Sequence, residues 1–112
     1  METIWSNKVD EILKVGLSLD NVGVRNWALT KGQALDALKQ FLAIEIPVLG
    51  GDVYESIDGI IQSNYDSWYC DPLPEETKSA FVRRSIEKAK AYIEEYKSKQ
   101  IDKIFFVLVP NT

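Results

Sequence analysis

The segment Ile104–Val109 constrains the fold most, because its six residues are all apolar. It lies between Lys103 and Pro110, and a short apolar run of this length is typical of a buried strand. A strand without a polar face is usually central in its sheet and covered on both sides. The segment therefore predicts a packed sheet in which this strand is central, or pairs with a second copy across a two-fold axis.

Three segments have the pattern of helices that could cover such a sheet. Residues 3–16 carry apolar residues at helical spacing, with Thr3 as a candidate cap. The sequence Thr30–Gln33 has the form of a capping box, and apolar residues follow it on one helical face. The sequence Asp71–Glu76 contains prolines and acids typical of a helix start, and the predicted helix beyond it extends to about Lys99.

The sequence pattern in the middle of the chain predicts extended strands joined by turns. Pro47 ends the second helix, and Gly50-Gly51 predicts a turn between two extended segments. Asp58-Gly59 is the dipeptide that a two-residue type I′ hairpin prefers. Ile60 would begin the returning strand, and Tyr65–Cys70 would continue that strand or form the next one.

These elements predict an α+β fold in a single domain, residues 1–112. We expect a small antiparallel or mixed sheet of about 3–5 strands, packed by three helices.

Composition and charge narrow the class of protein. The net charge is −4 and the pI is near 4.8, whereas nucleic-acid binding needs clustered Lys and Arg. The N-terminus lacks the basic start and apolar run of a signal peptide, and no apolar stretch approaches the roughly 20 residues that span a bilayer. The single cysteine, Cys70, fits a reducing compartment. We therefore expect a cytoplasmic protein that binds neither nucleic acid nor membrane.

The chain lacks the residues of common catalytic sites. It contains no histidine, which removes the usual general base and a principal zinc ligand. It has no Gly-rich phosphate loop, and Cys70 is better suited to fill a strand position. Asp52, Glu55 and Asp58 could hold a divalent cation, but in an extended segment their spacing places them on both faces. We predict that the protein is not an enzyme and uses no metal or other cofactor.

The charges are distributed unevenly along the chain. Residues 40–77 contain no Lys or Arg but eight carboxylates and five of the twelve aromatic residues. The carboxylates are Glu45, Asp52, Glu55, Asp58, Asp66, Asp71, Glu75 and Glu76. The aromatic residues are Phe41, Tyr54, Tyr65, Trp68 and Tyr69. Acidic and aromatic side chains together suit a face that binds a basic protein, although a solvated acidic face without a partner would have the same composition.

The order of several short motifs resembles the immunity protein 40 family of bacterial polymorphic toxin systems. Gly23–Leu29 is followed by Val48–Tyr54 and then by Tyr65–Tyr69. The helical segment Ser85–Tyr96 and the strand Phe105–Val109 continue the resemblance, which covers roughly residues 20 to 110.

The resemblance implies a small cytoplasmic protein that binds a cognate toxin domain and blocks it without catalysis. It supplies no catalytic residues, so the contact residues are predicted from the acidic and aromatic segment 45–76. The predicted contacts with a basic toxin domain are Glu55, Asp58, Tyr65, Asp66 and Tyr69. The motif residues interpreted as structural are Trp27, Gly50, Gly51, Asp52 and Trp68.

Two other functions remain open at this point. The protein could be a constitutive interaction subunit or adaptor in a bacterial complex. It could also be a small enzyme or metal-dependent binder that uses its carboxylates, and the missing histidine ranks this alternative last. The oligomeric state does not follow from the sequence.

Overall fold

The computed structural model describes residues 3–112 and confirms the predicted α+β fold, with three α-helices and two small antiparallel sheets in that range. Met1 and Glu2, at the start of the predicted domain, lie outside the described residues. The elements are α1 (Asn7–Leu13), β1 (Leu17–Ser18), β2 (Trp27–Ala28), α2 (Lys31–Ala43), β3 (Val48–Ile57), β4 (Ile60–Tyr69), α3 (Lys78–Glu95) and β5 (Ile104–Pro110). Short 3₁₀ turns occur at Asp20–Val22 and Ile101–Lys103.

The larger sheet has the strand order β4-β3-β5, and β1 pairs with β2 in the smaller one. The expectation that the apolar strand β5 is central is therefore wrong, since β3 takes that position. The outer edge of β5 is nevertheless covered. Leu29 and Phe106 exchange backbone hydrogen bonds of 2.8 and 2.7 Å, and the Asn26 side chain donates to the Leu108 carbonyl at 2.8 Å. This cover explains why an edge strand can be apolar throughout.

The core lies on both faces of the sheet. Phe106 and Leu108 face the helical layer, where they join a cluster that includes Phe41 of α2 and Ile86 of α3. Val107 points the other way and packs with residues of the segment before α2, including Leu19 and Ala28. Successive side chains of a strand point to opposite faces, so β5 contributes to both clusters.

Helix α1 begins later than predicted. Ser6 is its cap, with the Val9 N–H donating to Ser6 Oγ at 3.2 Å. The Asp10 carboxylate accepts from the backbone N–H groups of Ile4 and Trp5 at 2.7 and 3.1 Å. The chain before Ser6 therefore folds back onto the helix instead of extending it, and the predicted cap Thr3 lies outside α1.

The boundaries of the other two helices follow from their caps. The predicted capping box of α2 is confirmed, since Thr30 and Gln33 bond each other's backbone N–H groups at 3.2 and 3.0 Å. Helix α3 is shorter than predicted: it begins after the cap Thr77, which accepts from the Ala80 N–H at 3.1 Å. It ends at Glu95, because Tyr96 is extended. None of the helices in residues 3–112 is long and apolar enough to cross a membrane.

The hairpin between β3 and β4 confirms one predicted turn and corrects another. Asp58 and Gly59 have φ of 52° and 79°, and Ile57 pairs with Ile60 across them, as the type I′ prediction requires. Gly50-Gly51 forms no turn, since both glycines lie inside β3. A Cβ on Gly51 would lie 2.7 Å from Trp68 Cζ2 and 2.5 Å from the Val107 carbonyl oxygen. These glycines serve the close approach of neighbouring strands.

Candidate functional site

The β3–β4 hairpin carries charged groups of one sign. Its two ten-residue strands and their turn contain four carboxylates and no Lys or Arg. They are Asp52, Glu55, Asp58 and Asp66. β4 is an edge strand of the sheet, so its outer side can meet another molecule. At about 3.3 Å per residue, each strand is about 33 Å long.

A bulge in the middle of β4 places Tyr65 in solvent. Asp52 pairs with Ser67 and Tyr54 pairs with Ser63, so three residues of β4 oppose Val53 alone. Tyr65, the middle one, has φ of 69° and is 90% exposed. Positive φ is uncommon for a bulky residue without a special reason. Tyr65 thus projects from the hairpin more fully than any other large hydrophobic residue described.

The two neighbours of Tyr65 are held by one phenol. The Asn64 amide donates to the Tyr96 hydroxyl at 2.8 Å, and that hydroxyl donates to Asp66 Oδ2 at 2.6 Å. Within the bulge, the Asp66 N–H donates to Asn64 Oδ1 at 2.9 Å. Burial first, and the Asp66 carboxylate second, raise the pKa of Tyr96 to about 12. The Tyr96 phenol therefore remains protonated, and its hydrogen bonds hold the bulge of β4 against the C-terminal end of α3.

Tyr69 lies near the other end of β4. It is 71% exposed, and Lys88 Nζ of α3 lies 5.4 Å from its ring centroid. Beside it a shallow depression lies over Gly50, where Asp52, Ser67 and Val109 also contribute to the wall. Asp52 is exposed there, and it helps to raise the pKa of Tyr54, whose main cause is burial.

The remaining predicted contact residues lie apart from Tyr65 and Tyr69. Glu55 is half-buried and shares a depression with Lys99 and Lys103. Asp58 is exposed at the hairpin tip. The structure thus places Tyr65 and Asp66 together, and distributes Glu55, Asp58 and Tyr69 along the length of the hairpin.

Most of the motif residues interpreted as structural are buried or half-buried. Trp68 is 6% exposed and stacks on Tyr92 with ring centroids 4.6 Å apart. Its Nε1 is a buried donor without a hydrogen-bond partner among the described residues. Trp27 is half-buried against the main core, and Gly50 and Gly51 are buried inside β3.

Sequence reasoning missed the arginine that fixes the loop between β4 and α3. Arg84 donates to both carboxylate oxygens of Glu76 at 2.7 and 2.8 Å and to the Asp71 carbonyl at 2.6 Å. Its Nη1 also lies 3.1 Å from Cys70 Sγ. The hydrogen bonds from Arg84 to Glu76, together with the one from the Leu73 N–H, lower the pKa of Glu76 to about 2. Glu76 is paired internally, so it contributes less to the acidic surface than its position in the sequence indicates.

An apolar depression near the hairpin tip was also missed. Leu17, Val22 and Ile60 are all exposed and line it together. The isoleucines on both sides of Asp58-Gly59 are the signal that could have indicated it, because the tip of a solvated hairpin is usually polar.

No carboxylate cluster suited to a metal is present in the part of the chain that the structure describes. Within residues 3–112, no group of three or more His, Cys, Asp or Glu side chains could hold a metal ion. Asp52, Glu55 and Asp58 lie on both faces of the hairpin or at its tip, as their spacing in a strand predicted.

These features define a small α+β domain that exposes an acidic hairpin with two projecting tyrosines. Comparison with known families confirms the resemblance noted in the sequence. The immunity protein 40 family model matches residues 18–110. The chain belongs to the immunity protein 40 family. No curated protein and no solved structure matches the chain significantly. The family match begins after α1, at the second residue of β1, and includes the other four strands in full.

Proposed function

We propose that this protein is an immunity protein that binds a cognate bacterial toxin domain and inhibits it without catalysis. The family membership carries the proposal. The protein would act in the cytoplasm of the toxin-producing bacterium, where it blocks the toxin before the toxin harms its producer.

The surface proposed for this contact is the β3–β4 hairpin and the loop that follows it. The hairpin has four carboxylates and no cation, so it suits a toxin domain with a basic surface. Many toxin domains act on anionic substrates, and a basic groove that binds such a substrate would also attract an acidic partner.

Charge and aromatic area would have different effects on binding. Exposed carboxylates such as Asp58 accelerate the encounter with a basic partner, and salt weakens this effect. Exposed tyrosines supply contact area that must be desolvated, so they mainly slow dissociation. Inhibition would follow from occupation of the toxin surface, either at the substrate groove or beside it.

The test is co-expression with the C-terminal domain of the secreted protein encoded by the neighbouring gene. Cell survival and co-purification are scored together, with a catalytically inactive toxin domain for the binding measurement. Survival with a stable complex would support the proposal. Death of the cells with no complex would exclude this toxin as the partner, and a stable complex with a housekeeping protein instead would favour the adaptor function.

A further inference from the structure

We propose that Tyr65 is the anchor of the toxin interface, and that the hydrogen bonds of Asn64, Tyr96 and Asp66 hold it in its binding conformation before the toxin arrives. This inference rests on the proposed function. It identifies which part of the hairpin contributes most to affinity, and it gives Tyr96 a role as a positioning residue.

The first observation is that the fold does not use the Tyr65 ring. The side chain is 90% exposed, and the hydrophobic clusters of the core do not include it. A bulge on an edge strand prevents unwanted pairing with other strands, but that purpose requires no aromatic residue. Gly or Asn would adopt the φ of 69° more easily. The choice of tyrosine at this position therefore indicates a contact outside the chain.

The second observation is that the bulge is fixed from two sides. The Tyr65 N–H donates to Ser63 Oγ at 3.0 Å, and both of its neighbours bond the Tyr96 hydroxyl. Tyr96 is itself packed edge-on against Phe106 in the core, with ring centroids 5.6 Å apart. A contact segment whose backbone is fixed in this way loses little conformational freedom on binding, and such preorganisation increases affinity.

The third observation concerns the chemistry of the partner. Asp66 stands next to Tyr65, and the whole hairpin lacks cations. A tyrosine ring beside a carboxylate suits a toxin pocket that is apolar inside and has Arg or Lys at its rim, because the ring face attracts a cation and the carboxylate pairs with it. The occupant of this surface is thus a basic protein.

The experiment measures the affinity of the inactive toxin domain for the wild-type protein and for Tyr65→Ala. Loss of an interface anchor is expected to weaken binding by about 30-fold or more. Tyr65→Gly serves as a second variant, since glycine adopts positive φ freely and the fold is retained. The matched control is Leu42→Ala, which removes an exposed apolar side chain from α2 and should leave the affinity unchanged.

The role of Tyr96 is tested by a double-mutant cycle. Tyr96→Phe keeps the ring and removes the hydroxyl, so it should weaken toxin binding in the wild-type background but have little effect when Tyr65 is already alanine. A role confined to stability would weaken binding equally in both backgrounds.

The outcomes separate this inference from the proposed function. If the wild-type protein neither protects cells nor binds the toxin domain, this toxin is excluded as the partner, and the proposed interface with it is overturned before Tyr65 is considered. If the wild-type protein binds and Tyr65→Ala binds within tenfold of it, the immunity function stands and the anchor is wrong. If Tyr65→Ala instead converts a dimer of this chain to a monomer in sedimentation, the ring belongs to a self-association surface and the inference is overturned.

Discussion

At the residue scale, the missing side chain of Gly51 decides how closely β3 and β4 can pack. Trp68 of β4 occupies the space where a Cβ on Gly51 would lie, and the same ring stacks on Tyr92 of α3. The close contact between β3 and β4 therefore also positions the third helix. The sequence signal was a Gly-Gly pair, which in isolation is more typical of a turn.

Substitution of Gly51 by alanine is expected to destabilise the protein. The new methyl group would collide with Trp68 and with the Val107 carbonyl, and overpacking of this kind costs about 1–3 kcal/mol. Urea unfolding monitored by tryptophan fluorescence measures the change. Gly32→Ala in α2 is the matched control, because a Cβ there would have no atom within 4 Å. That variant should gain about 0.5–1 kcal/mol, so a Gly51→Ala protein of unchanged stability would contradict the packing argument.

Tyr96 makes stability depend on pH in the alkaline range. Its pKa is raised from 10.0 to about 12, so folding favours the protonated phenol. The stability that this phenol adds is complete below pH 10 and is lost as the pH rises from 10 towards 12. The difference in unfolding free energy between wild type and Tyr96→Phe should therefore be constant up to about pH 9 and then decrease.

This comparison is internally controlled, since both proteins contain Tyr54 and Tyr92, whose pKa values burial also raises. A difference that stayed constant through pH 11 would contradict the raised pKa of Tyr96, and with it the burial and the Asp66 hydrogen bond that cause the shift.

At the scale of elements, local signals were sufficient for some boundaries and not for others. The capping box at Thr30 and the Asp58-Gly59 turn are determined by residues close in sequence, and both predictions were confirmed. The start of α3 was misplaced because its prolines and acids also suit a loop. That loop is stabilised by Arg84, eight residues beyond Glu76 and within the helix itself. Contacts across that distance leave no periodic pattern in the sequence.

One part of the candidate site could likewise be predicted from local sequence signals, and another part could not. An acidic hairpin could be predicted from composition and turn chemistry, since residues 40–77 lack cations. The bulge at Tyr65 could not, because it depends on a phenol that lies 31 positions further along the chain. The flanking Asn64 and Asp66, whose short polar side chains compete for backbone groups, are the signal that could have indicated an irregular strand.

The loop between β4 and α3 should loosen in acid. The pKa of Glu76 is lowered from 4.5 to about 2, so its ionised form is favoured by folding. The stability from this carboxylate is complete above about pH 4.5 and is lost as the pH falls towards 2. The free energies of unfolding of wild type and Glu76→Gln, measured from pH 7 downwards, should therefore approach each other in that interval.

The neighbouring Glu75→Gln is the control for the acid experiment. Glu75 is exposed, and its substitution changes the net charge by the same amount without removing the partner of Arg84. If the free energy of unfolding of Glu75→Gln approached that of wild type by the same amount, general charge effects, and not the pair of Glu76 and Arg84, would cause the loss of stability in acid.

At the scale of the whole molecule, the separation of charge should govern the association rate with a toxin. Asp52→Asn and Asp58→Asn together remove two exposed charges from the hairpin, and asparagine retains the type I′ turn preference at position 58. The association rate should fall by several-fold to about tenfold at low salt, and its salt dependence should weaken. Stopped-flow mixing with the inactive toxin domain at low and high salt measures both quantities.

Asp66 is left unchanged in this experiment because its carboxylate accepts from Tyr96. Asp36→Asn together with Glu11→Gln removes two exposed charges from α2 and α1 and controls for net charge alone. Equal slowing by this pair would show that the overall field, and not the hairpin, guides the encounter.

The position of β5 also has a consequence for biosynthesis. This strand follows every other element of the domain, yet it lies between β3 and the segment at Asn26–Leu29. While the ribosome still holds residues 104–110, Val53 and Leu29 lack the strand that separates them from solvent and from each other. The hairpin can form early because its pairing is local, but the domain can close only after β5 has emerged. A nascent chain stalled before this strand would display the acidic hairpin on an open core, exposed to proteolysis.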